Sequence, residues 1–403
     1  MIKYLKNIIK LLVLWPVYLL GRFIPKNQQV WCFGAPRERF VDNSKYMFLY
    51  INQHYPQIKC YWVTSDLALQ QELTAQGFLV LNRKSLKGMW TILTAKVVFY
   101  SCFISEVSFW LTSGATAVNL WHGLPLKKIE FDINSGEFSK KYSPKFSFHK
   151  LGWLLFNPVS FRRPDMMFSP APVFTPILKR AFRMTSGTMV ASGSPRTDIF
   201  FDYSLAKEHL NTYPEIVLAK ENKLKTFLYM PTFRDVGGDF FASAKFDFDL
   251  LDRKMAALNA IFYIKVHPNA GLDGFSLDQY ENIKVVPAAA DPYPLMNYVD
   301  VLITDYSSIY IDFLLLNKPI IFFAFDLQDY LLTCRDMYFE YQEVTPGQLV
   351  ENFTDLLDAL SLGDNQLEAR QMLKDKFWGP EYVLGYQTMA NALIGNSELK
   401  GDK

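Results

Sequence analysis

The chain has 403 residues, two to three times the ~100–200 of an ordinary domain, so two separate cores are expected. Half of the residues are apolar and 20% are charged, which excludes a disordered chain, a coiled coil and a collagen-like repeat. A formal charge of +2 from 42 basic and 40 acidic residues is too balanced for a broad grip on a phosphodiester backbone, so nucleic acid is not expected as a partner.

The positive charge gathers at the amino end. Lys3, Lys6, Lys10, Arg22, Lys26 and Arg37 occur there without an acidic residue before Glu38. The longest uncharged run, Leu11 to Gly21, falls well short of the ~20 apolar residues that span a bilayer. No small-residue cleavage site follows it, which argues against a removed signal peptide. Lysines recurring at helical spacing beside apolar residues make residues 1–27 an expected interfacial helix, held by anionic lipid and by Trp15 and Tyr18. The alternative is a terminal helix packed on the protein itself.

From residue 28 onward, short β-rich runs alternate with helical stretches. QQVWCFGA, CYWVTS (60–65), GFLVLN (77–82), KVVFYS (96–101) and AVNLWHG (117–123) each end in a turn or polar residue, and SKYMFLYINQHY and SDLALQQELTAQ lie between them. This pattern predicts a parallel sheet covered on both faces, so residues 28–205 are read as one α/β domain. A second series, KTFLYMP (225–231), AIFYIKVHP (260–268), NIKVVP (282–287), DVLITD (300–305) and PIIFFAF (319–325), makes 206–385 a second α/β domain. Residues 345–394 read as closing helices, and 386–403 as a carboxyl-terminal tail. Cys32, Cys60, Cys102 and Cys334 are scattered without a CxxC pair, so neither a disulfide framework nor a zinc site is indicated, and no cofactor is assigned.

Parallel open sheets bind ligands beyond the carboxyl ends of their strands, and the residues able to do chemistry cluster there. His122 follows the strand AVNLW on a strand-to-loop turn, where its ordinary pKa of ~6.5 suits it to take a proton from a hydroxyl; a hydrogen-bonded structural histidine is the alternative. His267 ends AIFYIKVHP with Lys265 on the same strand face, a pair able to hold a pyrophosphate and neutralise charge as a phosphate ester breaks. In VLITDYSSIYIDFLLLNKPIIFF, Asp305, Ser307 and Ser308 form a turn and Asp312 lies on the following helix. Capping explains one serine and one aspartate and leaves the second serine and Asp312 without a reason, while the amide N–H groups and hydroxyls at that helix start also make a ready site for phosphate. GSPRTD (193–198) presents Arg196 and Asp198, and YMPTFRD (229–235) presents Thr232, Arg234 and Asp235. Either loop could bind phosphate through its arginine or be a self-stabilising Arg–Asp pair.

No Walker loop, GxGxxG, GxSxG or HExxH pattern is present, which leaves transferases foremost. Taken in order, NLWHGLPLKKIEFD, GSPRTD, YMPTFRD, KVHP and TDYSSIYIDFLLLNKPIIFF, with the earlier DNSKYMFLYI, resemble the motif series of the CDP-glycerol glycerophosphotransferase family, which makes wall teichoic acids and some capsular polymers. The resemblance covers roughly residues 28–385. It implies an α/β protein of two Rossmann-like domains facing a cleft, of glycosyltransferase-B type, with an amino-terminal membrane-associating helix. It also implies peripheral attachment to the cytoplasmic face of a bacterial membrane and transfer of glycerol phosphate from CDP-glycerol, or ribitol phosphate from CDP-ribitol, to a lipid-linked saccharide acceptor. By the same resemblance His122 and His267 are the catalytic pair. Lys265, Ser307 and Ser308 contact the donor pyrophosphate, and Arg234, Thr232, Asp312, Asp305 and Arg196 complete the site, with no metal ligand assigned. Glu130-Phe131-Asp132 departs from the family pattern, where a glycine often precedes the aspartate. The length of the chain favours single addition over chain extension. A second membrane-facing candidate is KFSFHKLGWLLFNPVSFRRPD (145–165), or else an interdomain loop. The competing function is a nucleotide-sugar-dependent glycosyltransferase of the same fold.

Overall fold

The computed structural model describes residues 7, 9–134, 148–205, 213–232, 240–266, 277–287, 290–333 and 336–398. The chain divides into two compact units. The first comprises Met1–His122, Ile129–Asp198 and Tyr382–Lys403; the second comprises Gly123–Lys128 and Ile199–Glu381.

The first unit is built on seven parallel strands: β1 (Asn27–Phe33), β2 (Lys59–Thr64), β3 (Leu79–Asn82), β4 (Ala95–Tyr100), β5 (Thr116–Asn119), β6 (Met166–Ser169) and β7 (Thr188–Ala191). They lie in the order β3-β2-β1-β4-β5-β6-β7. The central strands are apolar on both faces, as a doubly covered parallel sheet requires: Val30 to Phe33 and Val97 to Tyr100 are all buried. Strand order reverses direction between β1 and β4, the switch point at which such sheets open a crevice. Gly34, the residue after β1, allows the close approach there, since a Cβ on it would stand 2.6 Å from the backbone of Glu106.

The second unit has six parallel strands: β8 (Lys225–Met230), β9 (Ala260–Ile264), β10 (Ile283–Val285), β11 (Val301–Thr304), β12 (Ile320–Phe323) and β13 (Gln348–Val350). Their order is β10-β9-β8-β11-β12-β13, so the switch point lies between β8 and β11, paired from Val301↔Phe227 to Thr304↔Met230. Phe227, Tyr229, Phe262, Ile264, Ile303 and Phe323 form the centre of its core.

Two alpha/beta units with parallel sheets are therefore present as the alternation predicts, while three strands escape the sequence pattern. β6 (MMFS) and β7 (TMVA) are four-residue strands with three methionines between them, and β13 lies in a stretch that reads as helical. The helices expected over 345–394 end in the helix Gly385–Glu398, which runs into the segment read as a tail from 386. Its first turn is bound by Asp198, whose carboxylate accepts from Gly385 N at 2.8 Å and Tyr386 N at 2.7 Å, satisfying amide groups that a helix start leaves open. Tyr386 stacks on Tyr50 with centroids 4.2 Å apart. This anchoring returns the chain end to the first unit and makes Asp198 its last residue before the crossing.

At the amino end, Trp15–Gly21 is a helix preceded by a π-helical segment, Lys10–Leu14. It packs through one face: Tyr18 stacks on Phe109 at 4.7 Å, Trp15 Nε1 donates to the Leu155 carbonyl at 2.8 Å, and Lys10 donates to that of Phe156. The opposite side leaves Leu12, Leu19, Leu20 and Phe23 between 53% and 75% exposed. Among the described residues no helix is long and apolar enough to cross a membrane.

Candidate active site

His122 sits just past β5 with an exposed ring on backbone that is firmly tied. Trp121 before it takes φ +48°, a left-handed conformation that a bulky residue adopts only when its surroundings enforce it. The enforcing group is Asn43, fully buried. Its Nδ2 donates to the carbonyls of Leu120 at 3.0 Å and Trp121 at 2.8 Å, and its Oδ1 accepts from Ser194 Oγ at 2.6 Å and Arg196 N at 3.0 Å. Asn119 Oδ1 accepts from Trp121 N at 2.8 Å. Arg196 completes the set: its guanidinium donates to the His122 carbonyl at 2.7 Å and to Asp42 at 2.9 Å. GSPRTD thus supports the histidine turn through Arg196 and the final helix through Asp198.

Behind the imidazole lies a second set of groups, from the turn after β4. His122 Nδ1 is 3.0 Å from Cys102 Sγ. The Glu106 carboxylate accepts from the backbone N–H groups of Ser101, Cys102 and Phe103 at 2.7, 2.9 and 3.0 Å. Burial pushes its pKa up to about 7, with the Asp42 charge acting in the same sense and the three N–H bonds opposing. Burial first, then the charges of Glu106, Asp42 and Glu130, hold the Cys102 thiol far above its ordinary range, so it remains protonated.

In the second unit, the expected residues follow three neighbouring strands at their carboxyl ends: Thr232 after β8, Lys265 after β9, and Asp305, Ser307 and Ser308 after β11. Asp305 is fully buried, and its Oδ1 accepts from Thr232 N, Thr232 Oγ1 and Tyr306 N at 2.8, 2.6 and 2.6 Å. Asp305 and Thr232 therefore lock the two loops at the switch point to each other. Lys265, 6% exposed, extends its ammonium to the Pro287 carbonyl at 3.1 Å. Ser307 and Ser308 are half-buried. Ser308 stands at the cap position of Ile309–Phe313 without a side-chain cap bond, so capping does not account for that hydroxyl. Asp312, 1% exposed, accepts from Tyr293 Oη at 2.7 Å. His267 and Arg234 lie outside the described residues.

A cavity of about 770 Å³ opens at the opposite edge of this sheet, where β8, β11 and β12 begin. Of its charged lining, Lys220 pairs with Asp300 at 2.6 Å, and Lys318 donates to the carbonyls of Asn297 and Val299 at 2.8 and 2.7 Å. It is lined by the Lys318–Ile321 end of the TDYSSIYIDFLLLNKPIIFF stretch and by none of the candidate site residues.

The family described as CDP-Glycerol:Poly(glycerophosphate) glycerophosphotransferase matches residues 17–380. The chain belongs to this family. It is 29% identical over 341 residues to the teichoic acid poly(glycerol phosphate) polymerase of Bacillus subtilis strain 168, covering 80% of this chain and 42% of that protein. It is 27% identical over 394 residues to the teichoic acid glycerol-phosphate transferase of Staphylococcus aureus NCTC 8325, covering 93% of this chain and 95% of that protein. The chain thus spans less than half of the first relative and nearly all of the second. In fold it is similar to a variant of the wall teichoic acid polymerase TagF soaked with CDPG, with TM-score 0.78, 21% identity, and 99% and 97% of the two chains covered.

Against the family motifs, Cys102 and Glu106 are the site residues that sequence reading misses, together with the role of Asn43. Asn43 falls in DNSKYMFLYI, a segment visible as a motif without an assigned chemistry. Nothing local marks Cys102 or Glu106: their approach to His122 comes from the adjacency of β4 and β5.

Proposed function

We propose that this protein transfers glycerol phosphate from CDP-glycerol to a hydroxyl of a lipid-linked saccharide acceptor, in teichoic-acid-like or capsular polymer synthesis. The observation that carries the reading is His122: an exposed imidazole on a turn whose three consecutive carbonyls are fixed by Asn43 and Arg196. Pre-set geometry of this kind is what a general base needs. In the reaction, Nε2 of His122 takes the proton of the acceptor hydroxyl as its oxygen attacks the β-phosphorus, the one bearing glycerol. The bond from that phosphorus to the bridging oxygen breaks, and CMP departs with the electron pair. Lys265, Ser307 and Ser308, joined by His267 and Arg234, would hold the pyrophosphate and stabilise the charge that accumulates on it. Thr232 and Asp305 fix the loops that carry them, and Asp312 lies beneath as a support.

The acceptor's lipid calls for attachment to a membrane surface. The lysine-rich start, the exposed Leu12, Leu19, Leu20 and Phe23, and the exposed Leu151 and Leu154 of the neighbouring helix Phe148–Phe156 support binding to anionic headgroups at the cytoplasmic face.

The deciding experiment incubates the purified protein with labelled CDP-glycerol and a lipid-linked disaccharide. Release of CMP with label entering the lipid is expected, and the number of units added is read from the product mass. Preference for CDP-ribitol would change the polyol; turnover of UDP-sugars alone would replace this reading with a glycosyltransferase.

A further inference from the structure

We infer that Lys127 and Tyr330 are positioning residues for the donor turn, residues 305–308, so that the loop following the base braces the groups that hold the pyrophosphate. The inference rests on the reading of Ser307 and Ser308 as pyrophosphate contacts and adds what keeps their turn in shape. Lys127 stands five residues after His122 in sequence, yet the first unit ends there at His122 and Gly123–Lys128 is built into the second. Gly123 makes that exit at φ +145°, a conformation open to glycine. Leu124 and Leu126 are buried. The Leu126 carbonyl accepts from Tyr338 N at 2.9 Å, Lys128 N donates to the Asp336 carbonyl at 2.7 Å, and Lys127 pairs with Met337 as an antiparallel bridge. This backbone pairing fixes where the Lys127 side chain starts.

From there its ammonium reaches Tyr330 on the helix Leu327–Thr333, donating to Oη with the ring centroid 4.9 Å away. A cation beside a phenol combines a charge-assisted hydrogen bond with attraction by the ring. Tyr330 in turn stacks on Tyr306, with centroids 3.8 Å apart and planes 15° from parallel. Tyr306 is fully buried, and its Oη donates to Asp326 at 2.9 Å. Burial, with the Asp326 charge, holds that phenol well above its ordinary range, so it stays a donor. Tyr341 donates from Oη to the Asp305 carbonyl at 3.0 Å. The three rings form one buried cluster with Ala324 and Leu327, and Tyr306 is the residue between Asp305 and Ser307. Asp305 thus ties the turn to the loop after β8 through Thr232, the rings tie it to the helix Leu327–Thr333, and Lys127 fastens that helix. A turn held in this way presents its hydroxyls in one geometry, which lowers the ordering cost when a phosphate binds.

The test reads the turn directly and through the donor, on the full chain. Lys127→Met keeps the aliphatic stem and loses the charge and the donor; Lys127→Arg keeps both. In Lys127→Met, amide hydrogen exchange of residues 301–313 without ligand is expected to quicken by about 10-fold. The KM for CDP-glycerol should rise by about 3–10-fold with kcat within about 2-fold. Lys127→Arg should bring both readings back to within about 2-fold of wild type. Tyr330→Phe, which keeps the stack and removes the hydroxyl, should move both in the same direction as Lys127→Met and supplies the same test should methionine not fold. In a Ser307→Ala and Ser308→Ala background, Lys127→Met should raise KM by no more than about 1.5-fold further, because the brace acts through those hydroxyls. An exchange rate unchanged in Lys127→Met, or a KM unchanged in an active protein, would overturn the inference. So would an equal factor in KM with and without the serines, which would make Lys127 a donor contact itself. Faster exchange, reversed by arginine, in a protein that neither binds nor turns over CDP-glycerol would uphold the brace and discard the functional reading.

Discussion

Around His122, buried polar side chains turn inward onto one stretch of backbone: Asn43 grips Leu120 and Trp121, Arg196 grips His122, and only the imidazole is left outward. Around Asp305 the arrangement is reversed. One carboxylate closes the turn with Thr232 and Tyr306, and neighbouring hydroxyls at Ser307 and Ser308 remain half-buried at the sheet edge. The first region spends many groups to place one side chain, as a proton-transfer step needs. The second spends one group to place several, as the binding of a spread phosphate charge needs.

The sharpest way to break that contrast is His122→Ala. If one residue is the object of all the support in the first unit, kcat should fall by about 10²–10⁴-fold while CDP-glycerol binding, measured by calorimetry, stays within about 2-fold. Equal losses of binding and rate would mean that the imidazole holds the donor, and the division between the two regions would fail.

Asn43→Ala attacks the support rather than the supported group. It strands two buried carbonyls and the partners at Ser194 and Arg196, so about 2–5 kcal/mol of stability should be lost in urea unfolding. Asn43→Asp keeps the acceptor side and removes the donors, and should fall between. An unfolding midpoint unchanged in Asn43→Ala would show that the positive φ at Trp121 is held by something else.

Much of this architecture could be read from the chain, and the limits have physical causes. Buried central strands announce themselves as β-branched and aromatic runs, so β1, β2, β4, β8, β9, β11 and β12 are legible. β6, β7 and β13 are short strands whose pairing is decided by neighbours rather than by their own residues. His122, Lys265 and the Asp305 turn stand at strand ends, where position alone draws attention. Arg196 and Asp198 carry groups that also suit a ligand, and only the folded chain shows that they bind backbone. Cys102 and Glu106 carry no sequence mark, since their meaning arises from two strands lying side by side.

Glu106 offers a test of electrostatics within the first region. Its carboxyl is raised from 4.5 to about 7, burial being the main cause. The folded state therefore holds this proton more tightly than the unfolded chain. The associated stability is fully present below pH ~4.5 and is lost as pH rises through ~7, a total of about 3 kcal/mol. The difference in unfolding free energy between wild type and Glu106→Gln should drift by that amount over this window and level off above it. A flat difference would mean that the three N–H bonds fully offset burial, leaving an ordinary carboxylate behind the thiol.

The gentlest probe is Ser307→Ala with Ser308→Ala in the second region. Because Ser308 makes no side-chain cap bond, and Ser307 reaches Ile309 N only at 3.4 Å, the helix should barely notice their removal. Less than about 0.5 kcal/mol of stability is expected to go. Donor binding is another matter: two hydroxyls lost from a phosphate contact should raise the KM for CDP-glycerol by roughly 3–30-fold, at about 1 kcal/mol for each net hydrogen bond. A loss of stability with KM unchanged would make the pair structural, placing both regions in the same category of residues that hold backbone, and would move the phosphate contact to Lys265 and the loops beside it.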